Sequence, residues 1–296
     1  MEKKPLIEAY GKYFDQLEKM SVAADKIDET NIYQEGNPNT RKLLDKLVGD
    51  NLLPESHLEN IANFEKFYDL VLQGKHGLIL MEHYQNTDLP AFCYMLEHSG
   101  SEKLADLSKR IVAIAGMKLN EDNPFVKAFA ESFTRIVIYP TRSLDKKINN
   151  AISENEKEAE EMKAKKINFA AMRTMDNCKR NGQVILVFPS GTRYRPGHPE
   201  TKRGLREIDS YLRLFDIAIL VSVNGNILEI TDENMLNDKV GPDKQIFAAS
   251  DVIECKSFRK EFMAALPVDT PDPKQSMIDH VMDILNEQHE RIEKIR

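Results

Sequence analysis

The stretch GLILMEHYQNTD (residues 77–88) decides the fold class, because its aliphatic run stops abruptly at reactive polar side chains. A second stretch, QVILVFPSGTRYRP (residues 183–196), shows the same change further along the chain. An aliphatic run that ends this way is typical of the carboxyl end of a buried strand, where open α/β sheets bind their ligands. The two stretches therefore predict two strands whose ends bring reactive side chains to one edge of a sheet.

Strand and helix patterns alternate from residue 77 onward. This alternation predicts the α/β class, with a mostly parallel mixed sheet covered by helices on both faces. The predicted strands are 77–81, 110–115, 135–139, 183–188 and 217–223, with 227–230 as a further candidate. The predicted helices are 89–99, 101–108, 124–132, 153–180, 204–214 and 275–294. The Glu- and Lys-rich start of helix 153–180 is best interpreted as a solvated face with intrahelical ion pairs.

Residues 3–74 carry helix patterns only. Pro38 and Pro54 lie near two helix starts, and Gly49 and Gly74 lie where two helices should stop, which is the usual boundary chemistry. Three helices without a strand favour a small bundle packed on the main domain. We therefore predict two domains, an N-terminal helical bundle over residues 1–75 and an α/β catalytic domain over residues 76–296.

The composition is that of an ordinary globular protein, with 41% hydrophobic and 30% charged residues in 296. No apolar stretch approaches the roughly 20 residues of a transmembrane helix, and the N-terminus has no signal-peptide core. The net charge of −7 argues against a nucleic-acid partner. Cys93, Cys178 and Cys255 are widely spaced, which favours reduced thiols over a disulfide or metal pattern. These features predict a cytoplasmic protein.

His83 and Asp88 are a candidate proton-transfer pair. They are five residues apart, which on a regular helix would separate them by roughly 140°. They can meet where a strand ends and a helix begins, because the chain turns there. Asp88 would then accept the Nδ1 proton of His83 and leave Nε2 free to take a proton from a hydroxyl. The alternative for Asp88 is a helix N-cap, and a carboxylate has oxygens for both roles.

Arg193 and Arg195 are candidate ligands for an anionic group. An extended segment places residues two apart on one side, and the planar Arg guanidinium matches phosphate well. Gly191 and Pro196 allow a tight path on which backbone N–H groups can also approach a ligand. The alternative is a structural loop held by salt bridges. A base together with a phosphate clamp favours a transferase that acts on a phosphorylated alcohol.

The two motifs also carry a family resemblance. His-x-x-x-x-Asp followed far downstream by Phe-Pro-Ser-Gly-Thr-Arg resembles the glycerolipid acyltransferases, which share His-x-x-x-x-Asp and Phe-Pro-Glu-Gly-Thr-Arg motifs. Ser190 stands where the lysophosphatidate-type members usually have Glu. The Pro-Ser-Gly core followed by Arg-x-Arg-Pro is more similar to the soluble, plastid-type glycerol-3-phosphate 1-acyltransferases. The resemblance covers residues 78–223.

The resemblance implies which residues form the site. His83 and Asp88 are the implied catalytic residues. The implied phosphate ligands are Arg193, Arg195, Gly191 and Thr192, with Arg142 as a further ligand. The plastid-type members carry a Lys-His pair near Arg142, and Lys146 or Lys147 is the alternative ligand there. Glu82 is a departure, because Asn commonly precedes the His in the family. If Glu82 touched His83, its charge would raise the pKa of the imidazole.

The resemblance implies transfer of a fatty acyl group from acyl carrier protein or acyl-coenzyme A to the sn-1 hydroxyl of glycerol 3-phosphate. Alternatives are a 1-acylglycerol-3-phosphate acyltransferase and a non-catalytic protein that binds lipid or acyl carrier on the same scaffold. Thioester chemistry needs no metal, so we expect no metal and no cofactor. A basic segment, Lys202, Arg203 and Arg206, is a candidate contact for an acidic carrier protein. We also expect transient contact with a membrane surface, and a plastid stroma location if a transit peptide has been removed.

Overall fold

A computed structural model describes the chain except for residues 1, 25, 122–123, 152 and 232–233. The strands are β1 (Lys4–Pro5), β2 (Tyr33–Gln34), β3 (His57–Glu59), β4 (Gly77–Met81), β5 (Ile111–Gly116), β6 (Arg135–Ile138), β7 (Val184–Val187), β8 (Ile217–Asn224), β9 (Leu228–Glu229), β10 (Lys239–Val240), β11 (Ile246–Ala249) and β12 (Ile253–Glu254).

The helices lie before, between and after these strands. They are α1 (Leu6–Tyr10), α2 (Phe14–Met20), α3 (Pro38–Asn51), α4 (Ile61–Leu72), α5 (Asp88–Glu97), α6 (Glu102–Arg110), α7 (Lys118–Glu121), α8 (Pro124–Ala130), α9 (Thr141–Asn150), α10 (Glu154–Arg180), α11 (Ile208–Leu214), α12 (Cys255–Ala265) and α13 (Pro273–Glu293). Within the described residues, no helix is both long and apolar enough to cross a membrane.

The chain forms two compact units. The first contains Met1–Gly11, Asp45–Ile111 and Gly182–Arg296, and the second contains Lys12–Leu44 and Val112–Asn181. In the second unit, β5 runs parallel to β6 and β2 pairs antiparallel with β6. The long helix α10 packs on β6 and on α9.

The first unit is built on a mixed sheet with the order β7-β4-β8-β11-β3. The central strand β4 runs parallel to both β7 and β8, and all its residues are buried. Burial on both faces explains why these strands have continuous aliphatic sequences instead of alternating ones. In the register, Leu80 of β4 lies opposite Val187 of β7 and Leu220 of β8. The segments that follow β4 and β7 therefore leave the sheet at the same edge.

The structure confirms the predicted α/β class, a mixed sheet flanked by helices. The predicted strands at 77–81, 110–115, 135–139, 183–188 and 217–223 correspond to β4 to β8. The candidate strand at 227–230 forms as β9, but it pairs with β10 in a small antiparallel sheet that also contains β1. The elements α7, α9, α12, β10, β11 and β12 were not predicted.

The prediction that residues 3–74 form helices only is wrong. This region also contains β1, β2 and β3, which are two or three residues long. Strands this short carry no measurable alternation and gain their stability from the partner strand. The compact units do not divide at residue 75, since both units draw on the N-terminal region. A separate helical domain over residues 1–75 stays a prediction.

Candidate functional site

His83 and Asp88 meet at the carboxyl edge of β4. The chain leaves β4 at Met81, turns, and enters α5 at Asp88. His83 Nδ1 lies 2.9 Å from Asp88 Oδ2. The His83 side chain is 17% exposed and the Asp88 side chain is fully buried. This is the contact expected from the turn between strand and helix.

The Asp88 carboxylate also organises the turn. Its Oδ2 accepts the backbone N–H groups of Tyr84 at 2.6 Å and Gln85 at 2.9 Å. The alternative role for Asp88 as a helix N-cap is not what the structure shows, because Thr87 occupies that position and Asp88 is the first residue of α5. Three donors on one oxygen fix the carboxylate and, through it, the orientation of the His83 ring.

The second motif packs directly against His83. The imidazole stacks on the Phe188 ring, with 3.9 Å between ring centroids and an interplanar angle of 15°. The backbone N–H of Tyr194 donates to the carbonyl oxygen of His83 at 2.7 Å. Among the described residues, His83 Nε2 has no hydrogen-bond partner. The ring is therefore held by the stacked Phe188 ring and through Nδ1, whereas Nε2 keeps its hydrogen-bonding capacity unused within the described residues.

Gly191 makes the tight turn of the second motif. Its φ is +63°, and its N–H donates to the Phe188 carbonyl oxygen at 2.9 Å. Ser190 is buried, and its hydroxyl donates to the Thr192 carbonyl oxygen at 2.7 Å. The Ser190 hydroxyl thus stabilises the loop by an internal hydrogen bond. It cannot supply the carboxylate that Glu provides at this position in the lysophosphatidate-type members.

Gly191→Ala is expected to lower both stability and turnover. A Cβ at this position would overlap the Leu205 side chain, and the backbone lies in the region that L-residues rarely adopt. Strain of this kind typically costs about 1–3 kcal/mol and would shift the loop away from His83. Thermal unfolding and steady-state kinetics measure the two effects. Gly197→Ala is the matched control, because Gly197 also has positive φ but has open space around a Cβ. If both variants lost stability and turnover equally, backbone strain alone would explain the losses, and the position of the loop beside His83 would not be needed to explain them.

Arg193 is committed to an internal ion pair. Its Nη1 donates to Asp238 Oδ2 at 3.2 Å, and the Asp238 side chain is fully buried. Asp238 Oδ1 accepts the Thr231 N–H at 3.2 Å, so both carboxylate oxygens are used. Burial lowers the pKa of the Arg193 guanidinium, and the Asp238 charge works against that shift. The alternative of a salt-bridged loop therefore applies to Arg193, which leaves it fewer donors for a phosphate.

Arg195 differs from Arg193. Its backbone N–H donates to Thr201 Oγ1 at 2.9 Å, while the part of the chain that the structure describes gives its guanidinium no partner. Arg195 is close enough to Arg193 to disfavour the charged form of Arg193, so the two cations share one neighbourhood. Thr192 is half-buried beside them. Arg142 belongs to the second unit, is exposed, and lies at the start of α9. Its role stays a prediction.

A second carboxylate–histidine pair lies next to the first and was not found from the sequence. Glu82 is buried, and its Oε2 accepts the Val223 N–H at 3.0 Å and lies 2.9 Å from His289 Nδ1. The Tyr84 hydroxyl donates to Glu82 Oε1 at 3.0 Å. Burial raises the pKa of the Tyr84 phenol, and the nearby Glu82 charge adds to that shift. Glu82, which stands where the family commonly has Asn, thus connects the end of β4 to Val223 of β8 and to His289 of α13.

The basic segment after the second motif is largely paired. Arg203 lies 3.5 Å from Asp279 and Arg206 lies 2.8 Å from Asp272, both on or beside α13. Lys202 Nζ donates to Asn286 Oδ1 at 2.6 Å and lies 5.7 Å from the centroid of the Tyr84 ring. The charge that this segment offers to an acidic partner is therefore smaller than its sequence indicates. Within the described ranges, no group of three or more His, Cys, Asp or Glu side chains could hold a metal ion.

Comparison with known proteins agrees with this geometry. A family model described as acyltransferase matches residues 56–220, more than half of the chain, and this range contains both motifs. The chain belongs to the acyltransferase family. Among curated proteins, none matches this acyltransferase significantly. The crystal structure of the 1-acyl-sn-glycerophosphate (LPA) acyltransferase PlsC from Thermotoga maritima is similar with a TM-score of 0.40 and 11% identity, over 95% of this chain and 88% of that chain. A likeness this low assigns no substrate to the present chain.

Proposed function

We propose that this acyltransferase transfers a fatty acyl group from a thioester to the sn-1 hydroxyl of glycerol 3-phosphate. The observation that carries the proposal is the His83–Asp88 pair, whose Nδ1–Oδ2 distance is 2.9 Å. It leaves Nε2 without a partner in the described part of the chain, beside the loop of Arg195. A base and a free guanidinium at one edge of the sheet suit an acceptor that has both a hydroxyl and a phosphate. The sn-1 specificity rests on the motif resemblance.

The proposed chemistry needs one base and one set of N–H donors. His83 Nε2 takes the proton of the acceptor hydroxyl as the oxygen attacks the thioester carbonyl carbon. The tetrahedral intermediate then expels the thiolate, which takes the proton from the imidazolium, so that an ester and a thiol are formed. Asp88 stabilises the imidazolium through Nδ1. The backbone N–H groups of Thr192 and Arg193 make no hydrogen bond among the described residues and are the proposed donors to the oxyanion.

The acceptor is proposed to bind through its phosphate. Arg195 supplies a guanidinium that has no partner among the described residues, and the turn at Gly191 and Thr192 lets an anion come close to the loop. Arg193 contributes chiefly by holding the loop through Asp238. A bound phosphate would hold the acceptor hydroxyl close to His83 Nε2. The hydroxyl would then be oriented for proton transfer and would not depend on random collisions with the base.

An acceptor and donor comparison tests the proposal. The purified protein is offered glycerol 3-phosphate, lysophosphatidate or glycerol, each with acyl carrier protein or coenzyme A thioesters. We expect 1-acylglycerol 3-phosphate as the product and turnover of glycerol to be lower by roughly ten- to a hundredfold or more, because glycerol lacks the charge that Arg195 binds. The His83→Ala variant is the blank for each reaction.

Two outcomes would replace the proposal. Faster acylation of lysophosphatidate than of glycerol 3-phosphate would assign the chain as a 1-acylglycerol-3-phosphate acyltransferase. Binding of the thioester or carrier without turnover of any acceptor would assign a non-catalytic carrier- or lipid-binding role. The thioester that gives the higher turnover identifies the donor. Because Arg203 and Arg206 are ion-paired, we expect their contact with an acidic carrier protein to be weaker than the sequence predicts.

A further inference from the structure

The outward face of α10 exposes large apolar side chains. Met162, Phe169 and Met172 are 59%, 60% and 55% exposed. Their spacing of seven and three residues places them on one face of the helix. A single exposed apolar side chain is normal on a protein surface, but three on one helix face are more than scattered exposure.

The opposite face of α10 already anchors the helix. Its buried residues are Ala164, Ile167, Ala171, Met175 and Cys178. These residues supply the apolar face that packing within the second unit requires. The exposed apolar side chains are therefore additional to what the fold needs.

Cations accompany the exposed apolar side chains. Residues 162–175 contain Lys163, Lys165, Lys166 and Arg173 and no acidic residue, although the whole chain has a net charge of −7. Lys165, Lys166 and Arg173 are exposed. The Arg173 guanidinium lies 6.0 Å from the centroid of the Phe169 ring, so charge and apolar surface are in contact. We call the set Met162, Lys165, Lys166, Phe169, Met172 and Arg173 the α10 stripe.

The start of the same helix differs in chemistry. Residues 154–161 are rich in Glu, and Lys157 pairs with Glu154 at 3.1 Å. Lys165 lies 3.8 Å from Glu161, at the boundary between the two halves. The expectation of a solvated, ion-paired face thus describes the first half of α10, whereas the stripe occupies the second half.

We infer that the α10 stripe docks the protein on an anionic lipid surface. Met and Phe side chains insert at the boundary between headgroups and acyl chains, and Lys and Arg side chains reach the headgroup phosphates around them. Charge complementarity selects this occupant, because each cation near an anionic leaflet adds to the attraction. A second copy of the stripe would bring like charges together, so pairing between copies is disfavoured. Docking would keep an enzyme without a membrane-spanning helix in its described residues at the surface where acylated products partition.

Vesicle co-sedimentation without any substrate tests the inference. The protein is mixed with vesicles of phosphatidylcholine alone or of phosphatidylcholine with phosphatidylglycerol. We expect binding to the anionic vesicles only, and weaker binding as salt rises. Phe169→Ser combined with Met172→Ser should lower the partition coefficient about tenfold or more, since two inserted apolar groups are lost. Lys165→Glu combined with Lys166→Glu should lower it by a similar factor at low salt and less at high salt.

Matched variants elsewhere provide the controls. Leu72→Ser on α4 removes another apolar side chain that is 54% exposed. Lys256→Glu with Lys260→Glu on α12 makes the same change of charge at two other exposed lysines. Both control variants should bind vesicles as the unmodified protein does. The stripe variants should keep full turnover of a short-chain coenzyme A thioester, which separates docking from catalysis.

Several results would overturn the inference. Equal binding of stripe and control variants would exclude the stripe as the docking surface. Equal binding of the unmodified protein to neutral and anionic vesicles would remove the charge argument. A loss of self-association in the stripe variants, measured by analytical ultracentrifugation with vesicle binding unchanged, would show that a second copy covers this face. Because vesicle binding is measured without substrate, it can succeed or fail independently of the proposed acyl transfer.

Discussion

His83→Ala is expected to abolish turnover while glycerol 3-phosphate still binds. In the proposed mechanism the imidazole acts on the proton of the hydroxyl and not on the phosphate, so the variant would lose the base and keep the proposed phosphate ligands. General-base catalysis is typically worth about 10²–10⁴-fold in rate, and the loss should appear in kcat with little change in KM. Calorimetry with glycerol 3-phosphate and steady-state kinetics separate binding from turnover.

Two further variants sharpen this prediction. Asp88→Asn should reduce kcat less completely, because an amide can still accept the N–H groups of Tyr84 and Gln85 but stabilises the imidazolium poorly. His76→Ala is the matched control, since His76 and Asp216 form another His–Asp pair at 2.9 Å on the exposed surface. Near-normal kcat in the His83→Ala variant, with binding intact, would reduce Asp88 to a residue that orders the turn.

Arg193→Ala is expected to destabilise the fold as well as the site. The substitution removes the cation that pairs with the buried Asp238 carboxylate, while the Thr231 N–H still donates to Asp238 Oδ1. Breaking a buried pair from one side typically costs about 3 kcal/mol or more in the free energy of unfolding. Arg195→Ala should instead raise the KM for glycerol 3-phosphate by roughly ten- to a hundredfold with stability unchanged, because its guanidinium has no partner among the residues that the structure describes and is the proposed phosphate ligand. Denaturant unfolding and KM measurements distinguish the two arginines.

A double variant tests the cause of the lost stability. Asp238→Asn in the Arg193→Ala background removes the buried charge that has lost its Arg193 partner and keeps an oxygen for the Thr231 N–H. It should recover part of the unfolding free energy, which a double-mutant cycle measures as coupling. If Arg193→Ala raised KM as strongly as Arg195→Ala did and left stability unchanged, Arg193 would be a phosphate ligand like Arg195.

The strands that position the site could be predicted because their continuous aliphatic sequences indicate burial on both faces of the sheet. A strand buried on both faces must be aliphatic along its length, and it must end where polar residues begin, as residues 77–83 and 184–190 do. The contact between His83 and Asp88 followed from the same boundary, because a short turn between a strand and a helix leaves few arrangements. Local sequence was therefore enough to predict the α/β class and the contact between His83 and Asp88.

The partners of Glu82 and Arg193 could not be predicted. His289 and Asp238 lie in elements that touch the site only after the chain has folded, and neither forms a motif with its sequence neighbours. His289 stands on an amphipathic helix whose pattern indicates burial of a face but not the residue beneath it. The short strands β1 to β3 escaped prediction for a related reason, since each depends on a partner strand distant in sequence.

The hydrogen bond between Glu82 and His289 spans 207 positions of the chain. Glu82 also accepts the Val223 N–H, so the end of β4, strand β8 and helix α13 converge on one carboxylate. Contacts between residues so distant in sequence require large loops to close and form late in folding. In a nascent chain that already has its central strands, the candidate site would therefore remain incomplete. The chain could carry out the proposed reaction only after α13 has docked.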